Sequence, residues 1–368
     1  MDDNNDKNVR NTADEISHNR MLTFSSLKNH INIPTLIVLV FWIFIIVLGV
    51  LNNVSFPSMM SDAIGRFGAF GILCLAMVPS IKSGTGPNFA LPIGMVCGLL
   101  GMVCAIQFGF MGWLWLIVSI IFAITAACIV GFIYGILMNA VKGSEMTIAT
   151  YTGWAFVWLF SMMWFILPFD DLRLRLPMGQ GLRQDIQLAA VDGRQILNNV
   201  LNFRIGNVNI PTGMILVFFF ACFLVWLFFR SKKGIAITAG GTNPMFANAA
   251  GLNVNRNRIY ANMLSMALGA VGTVVYAQHF GFIQLYLFPM WFGFTCVAAV
   301  MIGGATVGKI SIANVIVGCF IFLGLSANMP PVVNALFPGT DLPEALRSIV
   351  QNGVILYALM HAKGGGGK

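Results

Sequence analysis

The sequence predicts an all-α polytopic membrane protein with about ten transmembrane helices, within a range of eight to eleven. Three observations predict it. Of 368 residues, 58% are hydrophobic and only 9% charged, against roughly 25% charged in a soluble domain, so the chain cannot cover itself with a water-facing surface. Uncharged runs such as "WLWLIVSIIFAITAACIVGFIYGIL" (Trp113 to Leu137), "PTLIVLVFWIFIIVLGVL" (Pro34 to Leu51) and "GMILVFFFACFLVWLFF" (Gly213 to Phe229) approach or exceed the ~20 residues that cross a ~30 Å hydrocarbon core. The runs are also continuous, whereas a barrel shows alternating segments of about ten residues.

The spans fall near 33–51, 63–81, 89–106, 113–137, 146–168, 212–229, 259–280, 290–308, 310–325 and 345–360. The third and ninth read as short, and the eighth and ninth form nearly one apolar block. Residues 1–30 are polar, without an apolar core or a small-residue cleavage site, and read as a cytosolic N-terminal tail rather than a signal peptide. Residues 31–362 read as one transmembrane domain, and 363–368, "KGGGGK", as a flexible tail. With the N-terminus in the cytosol, the short loops hold most of the lysines and arginines on the inner side, as the positive-inside rule requires. Five of the arginines left outside belong to one segment, 169–210. Its stretch Ile186 to Leu201 is compatible with a short surface helix. The segment is either a docking platform for an external partner or a solvated connector.

A formal charge of +8 would suggest nucleic acid in a soluble protein; here it reflects basic inner loops, and no nucleic-acid partner is expected. The seven cysteines all lie in apolar runs without CxxC pairing and read as buried thiols that fill space.

Several function classes are disfavoured. No acidic residue falls in the core of a span, which counts against a proton-coupled pump, since a relay needs an intramembrane group that binds and releases the proton. His279, alone near an outer face, reads as structural. No GxxxxGK[ST] loop or HExxH pair occurs, so the chain has no phosphate cradle or zinc motif of its own. It reads as a non-enzyme with no cofactor.

Two kinds of signal remain. "GMVCG" (Gly94 to Gly98) and "GFIYG" (Gly131 to Gly135) fit GxxxG and read as close helix packing. "SIKSGTGPNFALPIG" (Ser80 to Gly94) breaks a span with Gly84, Gly86, Pro87 and Pro92. Irregular backbone at membrane depth survives where it is buried in protein or lines a watery cavity. Ser83, Gly84, Thr85, Gly86 and Asn88 are accordingly candidates for the translocation pathway, with an ordinary tight turn as the alternative.

The loop 230–258 holds the second signal, "AGGTNPMFANAAGLNVNRNR" (Ala239 to Arg258). Gly240, Gly241, Thr242 and Asn243 can supply a turn and an N-cap, and Pro244 suits a first helical position. Met245 to Gly251, "MFANAAG", has the length of two helical turns closed by glycine. Met245, Phe246 and Ala249 would share an apolar face on a helix too short to span anything. Such a helix needs a groove in another protein.

This stretch resembles the coupling loop of ATP-binding-cassette importer permeases of the ribose/simple-sugar type, which share a fold class with branched-chain amino-acid permeases. Those proteins show Gly-Asn-Pro-Glu-Ala-Ala and then Gly-Ile-Asn-Val; here Asn243 and Pro244 are followed by Gly251, Leu252, Asn253 and Val254. "LGAVGTVVYAQHFGF" (Leu268 to Phe282), "CVAAVMIGGATVGKISIANVIVGCFIFLGL" (Cys296 to Leu325) and "SIVQNGVILYALM" (Ser348 to Met360) are similar to later spans of the family. The match is good over 230–360. Three departures stand out: the family's glutamate falls on Met245 and its first alanine on Phe246. "FALPIG" also replaces an Asp-Leu-Ser-Val-Gly sequence.

The resemblance implies a transport subunit that imports a small polar solute, a monosaccharide or related compound. It implies a cytosolic ATPase dimer that holds ATP and Mg and engages Thr242, Asn243, Pro244, Met245, Phe246, Ala247, Asn248, Ala249, Ala250 and Gly251. A second permease subunit, an external solute-binding protein and a bacterial inner-membrane setting complete the expectation, with both termini cytosolic. The rival reading is a stand-alone sodium-coupled transporter or channel whose ion site is the broken helix.

Overall fold

The computed structural model describes residues 33–176, 181–201, 203–339 and 342–363. The expected tail at 1–30, and all but the first residue of the one at 363–368, lie outside them. Ten helices stand at the ten expected positions: α1 (Ile33–Leu51), α2 (Phe56–Leu75) continued by α3 (Met77–Lys82), α4 (Leu91–Gln107), α5 (Gly112–Ala140), α6 (Glu145–Ile166), and, beyond the long segment with its one-turn α7 (Ile196–Asn199), α8 (Thr212–Arg230). Then come the short α9 (Lys232–Thr242) and α10 (Pro244–Ala249), followed by α11 (Val254–Phe280), α12 (Phe292–Ile302), α13 (Ile312–Leu336) and α14 (Leu342–Lys363). Seven helices among the described residues are long and apolar enough to cross a membrane, and two shorter apolar ones accompany them. This is a multi-pass helical membrane protein.

Burial separates an inner set from an outer ring. In the most apolar window of α2 with α3, 89% of residues are buried, against 28% or less in α1, α5, α6 and α8, whose leucines, isoleucines and phenylalanines face outward. The centre is α11, which packs on α2, α3, α4 and α5. Small residues allow it. A Cβ at Gly98 would lie 2.6 Å from the Ala270 carbonyl oxygen, and one at Gly135 2.9 Å from Ile259 Cα. Both GxxxG patterns therefore pack inside the chain, on α11, as small-residue faces do in lipid, where no hydrophobic effect drives association.

Three expectations need correction. The ninth span is not short: α13 runs 25 residues, through Pro330 and Pro331, and the short one is α12, with 11. α12 ends at Gly303, where Gly304 turns the backbone at φ +91°; Asn328 and the two prolines lower the local hydropathy of a helix that packing nevertheless sustains. Ile186 to Leu201 is no surface helix but a strand β1 (Asp185–Gln187), a 3-10 turn (Leu188–Val191) and α7. It is no solvated connector either. β1 pairs antiparallel with β4 (Phe282–Gln284), Ile186 opposite Ile283, and Ile186, Leu188, Val191 and Leu197 are buried. Gln278 Nε2 at the end of α11 donates to the Gly193 carbonyl at 2.7 Å. Finally, Gly240 and Gly241 are not a turn: they lie inside α9, an element absent from the sequence reading.

The seven cysteines are free and five are buried, with no disulfide among the described residues. With β1, β4 and α7, a hairpin of β2 (Phe203–Ile205) and β3 (Val208–Ile210) makes up a cap on one end of the bundle; Asn209 N donates to Ser61 Oγ on α2 at 2.9 Å, and Phe203 and Ile205 are exposed. We call the end that carries α9 and α10 the basic end. Lys82, Lys142, Arg230, Lys232, Lys233, Arg256, Arg258 and Lys309 gather there, with Glu145 the one acidic residue among the described residues of that end.

Candidate functional site

At the basic end the chain leaves α8, caps α9 with Ser231, whose Oγ accepts from Gly234 N at 3.3 Å, and turns at once into α10. Asn243 caps α10: its Oδ1 accepts from Phe246 N at 3.0 Å, which satisfies one of the orphan donors of a helix start. Pro244 is the first helical residue. Gly251 closes the helix at φ +80°, a left-handed conformation that favours glycine. Asn253 then caps α11 by accepting from Arg256 N at 3.0 Å.

The ten candidate residues divide sharply. Met245 is 85% exposed and Phe246 70%, and Thr242, Asn243, Pro244, Asn248, Ala249, Ala250 and Gly251 are exposed too. Met245, Phe246 and Ala249 thus remain uncovered together. Ala247 is the exception at 1% exposed: it is the residue that seats α10 on the body, so a change there tests the fold rather than an outside contact.

The last turn of α9, just before α10, rests on the broken helix. Gly241 approaches the turn after α3 so closely that a Cβ would lie 2.2 Å from the Lys82 carbonyl oxygen and 2.7 Å from Gly84 N. That is why a glycine stands inside α9. Gly84 and Gly86 take φ of +75° and +83°, which makes the turn possible. Ser83 and Gly84 line a cavity of about 470 Å³ beneath α10 together with Lys142, Asn248, Asn253 and Arg258. Thr85 is buried, its hydroxyl bonded to that of Ser83. Gly86 accepts from the Ser80 hydroxyl at 2.6 Å.

Asn88, 1% exposed, lies deepest. Its Nδ2 donates to Ser265 Oγ at 2.8 Å, and its Oδ1 accepts from Ala90 N at 3.1 Å and from Tyr134 Oη at 3.3 Å. Ser265 in turn donates to the Ala76 carbonyl at 2.6 Å. The break is therefore buried in protein, with its polar groups satisfied by α5, α11 and its own turn.

A second concavity, about 390 Å³, opens on the flank of the bundle between α6, α12 and the break. Thr147, Thr150, Tyr151, Trp154, Phe89 and Phe294 line it. Trp154 meets Trp291 edge-on at 5.6 Å, and Phe89 meets Phe294 at 5.3 Å. No motif marked these residues, but "TIATYTGW" (Thr147 to Trp154) does carry hydroxyls every few residues in an otherwise apolar span.

At the opposite end, Arg173 clamps the cap. Its guanidinium pairs with Asp171 at 2.5 Å and reaches the Ile106 carbonyl at 3.3 Å, while Gln107 Oε1 accepts from Asp170 N and Asp171 N. The hydrogen-bonded guanidinium holds the Asp171 carboxyl below its usual range.

Residues 59–359 match the family described as branched-chain amino acid transport system / permease component. The chain belongs to this family. It is a permease component of an ATP-binding-cassette transporter family. A comparison with curated proteins finds no match. The matched span takes in α10, the break, the cap and the flank groove, and omits the whole of α1 and the first residues of α2. Among the described residues no group of three or more histidines, cysteines and acids could hold a metal.

Proposed function

We propose that this permease is the membrane subunit of an importer for a small polar solute, a monosaccharide or related compound, and that a separate cytosolic ATPase drives it through α10. The reading rests above all on α10: a capped, six-residue helix that exposes Met245 and Phe246 and that no element among the described residues covers. Exposed large apolar side chains on a fixed helix are the anchors of helix-in-groove binding. Met245 in place of the family's glutamate makes the contact greasier, and the surrounding lysines and arginines favour an acidic rim on the partner.

The connection inward is short. A displacement of α10 moves α9, and Gly241 touches the backbone of Lys82 and Gly84 directly. The broken helix is tied by Asn88 to α5 and α11, so force at the basic end reaches the bundle core without a flexible joint. ATP and Mg belong to the partner; its closure shifts the permease between inward and outward states only through differential affinity for the two. The pathway is assigned to the flank groove, completed by a second permease subunit. Its aromatic faces suit the apolar face of a sugar ring, and the Thr147, Thr150 and Tyr151 hydroxyls suit its polar edge. The exposed hairpin at Phe203 and Ile205 is the proposed landing surface for an external solute-binding protein. The assay is uptake of labelled ribose by vesicles containing the permease, the ATPase and the binding protein. Uptake that requires enclosed ATP supports the reading, and uptake driven by a sodium gradient without ATPase defeats it.

A further inference from the structure

The cavity beneath α10 holds charge that the coupling role does not use. Its walls come from the body and from the short helix alike: Lys142 follows α5, Asn253 and Arg258 open α11, and Asn248 lies on α10. Arg258 is 7% exposed. Its Nη2 donates to Glu145 Oε1 at 2.7 Å, but its Nε is buried and has no partner. An enclosed ionised donor without an acceptor is costly, and such atoms are normally matched.

Lys142 Nζ donates to Asn255 Oδ1 at 2.7 Å, leaving two of its three donors. Glu145 is already taken up by Arg258 and by Gly143 N at 2.8 Å. Arg258 therefore takes the one carboxylate, and no other acid among the described residues lies at this end to neutralise Lys142. The side-chain amides of Asn248 and Asn253 add neutral donors to the wall. A roomy, donor-rich cavity with one positive charge in excess is shaped for an anion.

We propose that this cavity binds a phosphate group, clamped between α10 and the body of the permease. A phosphate offers several strong acceptor oxygens, and guanidinium and ammonium groups recognise it through charge-assisted hydrogen bonds. Arg258 and Lys142 hold the charge, and Asn248 reaches the same group from the α10 side. An occupant thereby ties the short helix to the bundle. Free phosphate and the headgroup of an anionic phospholipid both present this chemistry at a membrane surface. The inference does not depend on the ATPase, so it can fail while the transport reading stands.

The test uses the purified full chain in detergent. Equilibrium dialysis measures binding of radiolabelled inorganic phosphate; a parallel titration uses dihexanoyl phosphatidic acid, with dihexanoylglycerol, which lacks the phosphate, as control. One saturable phosphate per chain is expected. Lys142→Gln should weaken it about tenfold or more, the effect of one charged contact, and Arg258→Gln should abolish it. Lys142 is exposed, so its variant folds even if loss of the Glu145 partner unfolds the other. Lys309→Gln, which is not one of the cavity-lining residues, should leave the affinity unchanged. Binding of inorganic phosphate identifies a soluble ligand, and binding of phosphatidic acid alone identifies a headgroup; either supports the site. Absence of saturable binding for both probes, binding of dihexanoylglycerol equal to that of phosphatidic acid, or equal affinity in Lys142→Gln overturns it.

Discussion

Phe246→Ala separates a docking side chain from a structural one. Phe246 is 70% exposed. Of about 200 Å² of phenylalanine surface, roughly 140 Å² is therefore still available for burial by a partner. At ~25 cal/mol per Å² this amounts to about 3.5 kcal/mol, of which association recovers a part, about 2–3 kcal/mol for a central anchor. The truncation should therefore weaken binding of the ATPase by roughly 30–150-fold. The isolated permease should scarcely notice, since surface substitutions change stability by about 0.5 kcal/mol or less. The assay pairs an affinity measurement, permease in nanodiscs against the purified ATPase, with thermal unfolding of the permease alone. Unchanged affinity, or a melting temperature lowered as by a core truncation, refutes the argument.

The remaining predictions address neighbouring links. Ala247→Asp should behave in the opposite way: it forces a carboxylate into a site 1% exposed, costs about 3 kcal/mol or more, and lowers the melting temperature of the permease by itself. Gly241→Val should cost about 3 kcal/mol, the upper end for overpacking, because the atoms it meets at 2.2 and 2.7 Å are backbone; coupled uptake should fall even where the protein still inserts. Asp171 has its pKa lowered by Arg173, so the clamp contributes its full stability above the unfolded value of about 3.9 and loses it as pH falls through the depressed folded value. Proteolytic protection of the cap should accordingly be the same at pH 7 and pH 5, and should fall in Asp171→Asn at both.

Much of this architecture was legible in the sequence, for a physical reason. Lipid-facing helices must be apolar over their length, so α1, α5 and α8 announce themselves as uncharged runs. Inner helices do not. The tail of α13 carries Asn328 and two prolines, tolerable because it packs among other helices, and this shortened its apparent span. The short helix was legible through its caps, Asn243, Pro244 and Gly251, whose roles are local. α9 was not, because Gly240 and Gly241 read as a turn until the close contact of Gly241 with Lys82 and Gly84 explains why a helix should carry them. The same limit hid the cap. The pairing of Ile186 with Ile283 joins residues almost a hundred positions apart, and the burial of Leu188 and Leu197 depends on the end of α11. The flank groove and the polar cavity are likewise products of packing, assembled from side chains that no spacing brings together.

The central claim is that Met245 and Phe246 seat in a nucleotide-hydrolysing partner. A photoreactive side chain placed at Met245, 85% exposed, tests it most directly when irradiated in intact membranes that contain the whole transporter. The account predicts one major adduct, with the ATPase subunit, whose yield changes on adding ATP. Adducts confined to lipid or to an external solute-binding protein would contradict it.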